Sequence, residues 1–428
     1  MKRWLASFLV VVLSAGICGL SGCRRNRETQ GPGKRVTLRY VSYEYLPSQV
    51  AVQRAIIDAF NKSQDRVFVK FETAEKAGTE KILTQIAGGT APDVFLWFNA
   101  NVYDLAKKGA ILRLDPFIKE SGIDLNDYFP FLFNILRTNL DGLYAFPTAW
   151  GAEALAYNKD LFDKAGLPYP NENWTWDDFV RAAQKLTIKK EGRVVQYGTT
   201  LPPSHIVELS FGAKRFDEGL TQCVINSPEA KKAFQFLVDL GNKYKVIPSV
   251  SSLPRNEQYQ TALDMFMTGR VAMFIITSFQ LEALSKVKNI RWDVAPIPRY
   301  DQRPRTAAPG INTLVIYSKT KYPRECWEFI KFFCGPEGQK LLGRNCVPAH
   351  KGVTYQYFLS PPPEHLRVMI DQYERWTTFS EGYTSWGREY LETVYTRELD
   401  KMLLGLETVE QGTDIMYREG EKFLKANQ

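Results

Sequence analysis

The chain has 428 residues, 44% hydrophobic and 24% charged, with a formal net charge of +8 and a mean hydropathy of -0.28. That length exceeds what one compact core usually uses, so two domains are expected. The positive charge comes without any long Lys/Arg block, which argues against a nucleic-acid partner, and the longest apolar run beyond the N-terminal region, Val271 to Phe279, is too short to cross a bilayer.

At the start of the chain, Lys2 and Arg3 precede an apolar run from Trp4 to Cys18, followed by Leu20-Ser21-Gly22-Cys23. This order predicts a lipoprotein signal peptide over residues 1–22, with Cys23 left as an acylated N-terminus. Each buried methylene contributes roughly 0.8 kcal/mol, so two or three acyl chains hold a protein at a membrane durably. Residues 23–35, charged and carrying Gly31, Pro32 and Gly33, read as a tether. The expected location is the cell envelope, outside the cytoplasm, with Cys23 as the lipid anchor.

Val36 to Val41 alternates and is rich in β-branched and aromatic residues, which predicts a first strand, with a loop from Ser42 to Ser48. Val52, Ile56 and Phe60 lie at helical spacing and predict a helix from about Gln49. A strand over Val67 to Phe71 comes next, then a helix capped by Thr79 and ended by Gly88-Gly89. Asp93 to Phe98 is almost wholly apolar, as in a strand buried on both faces of a parallel sheet. The order β-α-β-α-β predicts an α/β lobe.

Downstream, Thr175 caps a helix whose first turn holds Asp177 and Asp178, and Ser227-Pro228 opens another that closes at Gly241. Gly269 breaks the chain before a strand-like VAMFII run, and the Pro-rich stretch from Ala295 to Pro309 reads as an extended crossing. A strand over Gly310 to Ser318, helices from Pro323 and from Gly335-Pro336, and a helical region after Pro361-Pro362-Pro363 complete the pattern.

Cys223, Cys326, Cys334 and Cys346 remain once Cys18 and Cys23 are set aside. An oxidising compartment permits disulfides. Cys326 and Cys334 on one helix are about 12 Å apart, beyond the roughly 4.4–6.8 Å a bridge spans. Cys334 with Cys346 is the favoured pair, and free buried thiols fit equally.

Several segments taken together carry a resemblance. They are Gly89-Thr90-Ala91-Pro92-Asp93-Val94, Tyr144-Ala145-Phe146-Pro147, Tyr157-Asn158-Lys159-Asp160-Leu161-Phe162 and Trp174-Thr175-Trp176-Asp177-Asp178-Phe179. Further along come Asn226-Ser227-Pro228-Glu229-Ala230, Phe266-Met267-Thr268-Gly269-Arg270-Val271-Ala272-Met273, Cys326-Trp327-Glu328-Phe329-Ile330-Lys331-Phe332 and Pro336-Glu337-Gly338-Gln339. In this order, behind a lipobox, the chain resembles the extracellular solute-binding proteins of ABC transporters, of the maltose/oligosaccharide-binding type.

The resemblance implies an α/β, two-lobed Venus-flytrap fold with hinge strands crossing between the lobes. Lobe one would comprise 36–151 and 313–352, and lobe two 157–308 and 358–428, with crossings near 151–157, 309–312 and 352–358. It further implies a monomer that captures a sugar or oligosaccharide and delivers it to permease subunits in the membrane, with no cofactor, no metal and no catalytic residue.

Open α/β sheets bind ligands at the carboxyl ends of their strands. Tyr43 and Glu44 follow the first predicted strand, and the resemblance places a polar ligand contact near Glu44. Trp97, Phe98 and Asn99 end the third, where the family keeps an aromatic contact at Trp97. Trp150 lies just before the first crossing, where family members contact sugar. Phe279 holds a place often taken by Trp. Asn312 and Trp386 complete the candidates. Some oligosaccharide binders have a glutamate where Gly151 stands, and Glu153 lies two residues beyond. Asp93 reads as structural.

Aromatic planes stack on the C–H faces of a pyranose while carboxylates and amides satisfy its hydroxyls, so this set of residues suits a sugar. Phosphate would call for a glycine-rich loop or convergent arginines, and the sequence shows neither. Competing readings are a secreted glycoside hydrolase with two carboxylates across an aromatic cleft, and a lipid-anchored solute sensor. There is no nucleophile elbow, HExxH or clustered CxxC, and His205, His350 and His365 are too scattered in sequence to suggest a metal site.

Overall fold

The computed structural model of the protein describes residues 35–44, 47–73, 78–217, 219–249, 258–301, 309–343, 346–376 and 385–427. The expected leader, the lipidation site Cys23 and the Arg24 to Gly33 stretch lie outside the described residues. In chain order the strands are β1 (Val36–Ser42), β2 (Val67–Thr73), β3 (Val94–Phe98), β4 (Phe146–Trp150), β5 (Glu153–Asn158) and β6 (Ile188–Lys190). They continue with β7 (Arg193–Thr199), β8 (Val271–Thr277), β9 (Trp292–Ala295), β10 (Ile311–Ile316) and β11 (Val347–Pro348).

These strands build two sheets, one six-stranded and one five-stranded. One has the order β11-β4-β10-β3-β1-β2 and the other β6-β7-β8-β5-β9. In the first, β1 runs parallel to β2 and β3, while β10 is inserted antiparallel between β3 and β4. The β3 run is apolar and buried from Val94 to Trp97, as in a strand covered on both faces, while β1 alternates. Helix Pro47–Ser63 carries Ile56, Ile57 and Phe60 inward, and Phe60 meets Phe329 of helix Pro323–Cys334 edge-on at 5.3 Å.

The chain passes from the first sheet to the second in two residues, Gly151 and Ala152, between β4 and β5. It returns at Gly310, just before β10. These two crossings touch, since the Gly151 N–H donates to the Gly310 carbonyl at 2.9 Å. A third connection runs through Lys351 to Leu366 into helix Val368–Trp376, whose Gln372 side chain reaches the start of β5.

Alternation along β5 divides the core. Ala154 and Ala156 join an apolar cluster that continues into the first sheet, whereas Leu155 and Tyr157 join a second cluster on the opposite face. This is the period-2 pattern of a strand buried on both sides. The second cluster is closed by helices Trp176–Leu186, Pro228–Asn242, Thr396–Leu403 and Val409–Asn427. Each fully buried large apolar side chain contributes roughly 1.5–3 kcal/mol.

Local signals act where the sequence placed them. The Thr175 hydroxyl accepts from the Asp178 N–H at 3.2 Å and the Asp178 carboxylate accepts from the Thr175 N–H at 3.0 Å, a reciprocal cap. Ser227 caps helix Pro228–Asn242 through the Ala230 N–H. Gly269, at φ +69°, turns helix Gln258–Met267 into β8, a left-handed conformation that favours glycine. Phe146 to Asn158 divides at Gly151-Ala152 into β4 and β5, which belong to different sheets and do not pair.

Candidate functional site

The strand order brings distant residues together. β1, β3 and β4 end on one edge of the first sheet, and antiparallel β10 begins there, so Glu44, Thr148 and Asn312 converge although they are far apart in sequence. Phe279, which follows β8 of the other sheet, reaches the same place. With Val52, Gln53, Ala149 and Cys346 they line a cavity of about 30 Å³, room for a water or two.

A directed hydrogen-bond chain ends on the Glu44 carboxylate. The Tyr40 hydroxyl donates to Gln53 Oε1 at 2.8 Å, and Gln53 Nε2 donates to Glu44 Oε2 at 2.7 Å. From the other side the Tyr43 hydroxyl donates to Asn312 Oδ1, and Asn312 Nδ2 donates to Glu44 Oε1 at 3.4 Å. Burial raises the Glu44 carboxyl above the usual carboxylate range, and the Gln53 hydrogen bond only partly offsets this. Burial, then the nearby Glu44, likewise raises the Tyr43 hydroxyl, so it serves as a donor. The site therefore combines a desolvated carboxylate, an amide oriented by a phenol, and an aromatic ring that is 45% exposed, Phe279.

Gln53 was not among the candidates. The signal for it is a glutamine on the inward stripe of a helix, in register with Ile57 and Phe60, since a buried amide there must find partners.

Two of the expected aromatic contacts, Trp97 and Trp150, are buried in this structure. Trp97 is 1% exposed and projects from the sheet face opposite to Asn312: Asn312 pairs with Phe98, and Trp97 pairs with Thr313. Successive strand residues alternate faces, so Trp97 and Phe98 project to opposite sides of the sheet. Trp97 instead meets Phe95 edge-on at 5.4 Å. Trp150 is wholly buried, with ring contacts to Phe131 at 5.0 Å and Tyr373 at 4.9 Å. In this structure neither indole offers a face to the cavity.

The remaining candidates separate. Phe98 is 36% exposed and its ring lies against Gly310. Asn99 is buried, and its Oδ1 accepts from the Ile311 N–H at 3.0 Å, pinning β3 to β10. Trp386 packs edge-on against Phe216 at 5.1 Å beside the second cluster, away from the cavity. Glu153 is buried at the start of β5, with one carboxylate oxygen 3.3 Å from His205 Nε2.

Asp93 behaves structurally, accepting from the Arg39 N–H at 2.8 Å and the Thr320 hydroxyl at 2.6 Å. Cys223 is buried, and Cys326, Cys334 and Cys346 are buried thiols, so the favoured Cys334–Cys346 bridge is not formed.

Folding also gathers Asp293, Glu364 and His365, so that among the described residues one of the three scattered histidines joins a carboxylate cluster. Asp293 is fully buried, 2.7 Å from His365 Nδ1 and 3.0 Å from Lys159 Nζ. Burial alone would raise its pKa, but hydrogen bonds from His365, Lys159 and the Val294 N–H outweigh that and leave it lowered. The Lys159 ammonium already stands where a metal cation would neutralise this carboxylate.

Residues 43–340 match the family model described as bacterial extracellular solute-binding protein. A putative binding protein of Brucella abortus is 28% identical over 269 residues, 59% of this chain and 61% of that protein. The chain thus spans about three fifths of the length of that relative. The multiple sugar-binding protein of Streptococcus mutans is 24% identical over 73% of this chain and 74% of its own. Among solved structures, an ABC substrate-binding protein of Listeria monocytogenes in complex with cycloalternan aligns with a TM-score of 0.79 at 24% identity, covering 92% of this chain and 100% of that one. The GacH receptor of Streptomyces glaucescens aligns at 0.74 with 20% identity, covering 92% and 99%.

Proposed function

The chain belongs to the bacterial extracellular solute-binding protein family, and on that premise we propose that it is the lipid-anchored receptor of an ABC importer. It captures a sugar or oligosaccharide between two lobes and presents it to a membrane permease. The lobes are 36–151 with 313–352 and 157–308 with 358–428, and Cys23 carries the lipid.

The observation that carries this reading is the convergence of Glu44, Asn312 and Phe279 at the carboxyl edge of the first sheet, with Phe279 supplied from beyond β8 of the second. A carboxylate and an oriented amide suit sugar hydroxyls, and a half-exposed ring suits a C–H face. The relative named for multiple sugars and the Listeria structure with cycloalternan support a saccharide.

In the proposed cycle the two sheets part at the crossings near Gly151 and Gly310 and close on the solute, with a few backbone torsions absorbing the motion. The solute shifts this equilibrium by its differential affinity for the closed form, about 1.4 kcal/mol per tenfold change. No bond is made or broken on the solute.

The test is titration of the purified mature chain with mono- and oligosaccharides, following tryptophan fluorescence and product formation together. Saturable change without turnover is expected. Cleavage of a glycosidic bond would replace the receptor with a hydrolase, and silence with every saccharide would move the solute to another class. For the anchor, palmitate labelling in cells should be lost in Cys23→Ser, and persistent labelling would refute Cys23 as the lipid site.

A further inference from the structure

Gly151 and Gly310 occupy positions whose backbone does not demand glycine, because neither has a positive φ. Both lack room for a side chain. A Cβ at Gly151 would lie 2.9 Å from Cε2 of Phe279, and one at Gly310 would lie 2.9 Å from Cε2 and Cζ of Phe98. Each bare Cα therefore seats an aromatic ring. The rings come from opposite sheets, Phe98 from the end of β3 and Phe279 from just after β8. Only the second of these rings lines the cavity with Glu44 and Asn312.

We propose that Gly151 is a specificity-determining position: the missing side chain lets the Phe279 ring lie on the cleft floor beside Glu44 and Asn312, so residue 151 decides whether the site offers an aromatic face to its solute. This rests on the solute-binding reading above. A methyl group at 151 moves the ring without breaking the fold, because what it meets is the end of a half-exposed side chain. At Gly198, by contrast, a Cβ would meet the Ala183 backbone at 2.1 Å and has no such escape. A larger or charged residue at 151 would displace the phenyl from the floor and substitute its own chemistry, exchanging stacking for polar contacts.

The experiment is a double-mutant cycle on the mature chain with Gly151→Ala, Phe279→Ala and the pair. Thermal shift against a panel of saccharides, polyols and other small solutes first identifies the tightest solute, and calorimetric titration then gives its affinity for all four proteins. Each single change should weaken binding roughly threefold to tenfold, the range of an aromatic contact. The pair should do no worse than the weaker single variant, because both remove the same contact.

Additive effects, or unchanged affinity in Gly151→Ala, would overturn the proposal. So would loss of cooperative melting in Gly151→Ala, since it would show that the ring cannot yield. If the tightest solute is not a saccharide, the sugar reading fails while the cycle still decides the role of Gly151. If nothing in the panel binds, both fail.

Discussion

The side chain of Gln372 donates to the carbonyl oxygen of Glu153 at 3.1 Å, joining a helix late in the chain to the first residue of β5. Its other end, Oε1, accepts from the Ile297 N–H at 2.8 Å, just beyond β9. One buried amide thus ties together backbone groups on two segments that flank the crossings. Gln372→Ala leaves both groups without partners in a dry environment, at about 1–3 kcal/mol each. Urea unfolding should show a clear fall in midpoint, and a loss below about 0.5 kcal/mol, the level of an ordinary surface change, would mean the clamp is not needed.

Glu44 sets a pH dependence. Its carboxyl is raised by burial, so the native state holds that proton more tightly than the unfolded chain. The associated stability is present at low pH and is lost as pH rises through the folded-state value. Glu44→Gln, which keeps an acceptor for Gln53, should unfold at higher urea than the parent at neutral pH. The advantage should disappear towards about pH 4, the ordinary carboxylate range. An equal difference at every pH would contradict this.

A buried ion pair supports the second cluster. Glu208 accepts from the Tyr395 hydroxyl and from Arg215 Nη2 at 3.3 Å, its other carboxylate oxygen is 2.9 Å from Arg215 Nε as an ion pair, and the Arg215 guanidinium lies 4.7 Å from the centre of the Tyr395 ring. Glu208→Ala should cost about 3–5 kcal/mol by leaving the guanidinium desolvated, whereas apolar replacement of both partners with residues of similar volume should recover most of that. Denaturant titration of the single and double variants distinguishes these outcomes, and a double variant as unstable as the single would refute the account.

Trp97 and Trp150 are core residues here, so Trp97→Phe and Trp150→Phe should keep solute affinity within about twofold, while Phe279→Ala should lose the worth of a stacking contact. Titration calorimetry on the three variants checks this. A large loss in either tryptophan variant, with unchanged melting temperature, would return that indole to the binding surface.

Much of the candidate site was legible. Glu44 follows from the rule that open sheets bind at the carboxyl ends of their strands, whereas Asn312, at the amino end of β10, and Phe279, in a place where the family often has Trp, were named on the resemblance alone. Gln53 and Cys346 were not, because a lone glutamine on a helix and a lone cysteine in a loop carry no chemistry until the sheet order brings them beside Glu44. For Trp97 and Trp150 residue type suggests stacking, but only strand register says which side of the sheet an indole occupies.

The amino-acid sequence by itself determined the local elements, since caps, glycine breaks and apolar periodicity act over a few residues. Thr175 with Asp178 and the turn at Gly269 are examples. It also determined the α/β class, because alternating strand and helix patterns permit few layer arrangements. Only the tertiary structure decided that β10 returns antiparallel between β3 and β4, which brings Asn312 to Glu44, and that Gly151 seats the ring of Phe279. These are contacts between segments more than a hundred residues apart, and they depend on strand order and on excluded volume at a single carbon, neither of which a local pattern records.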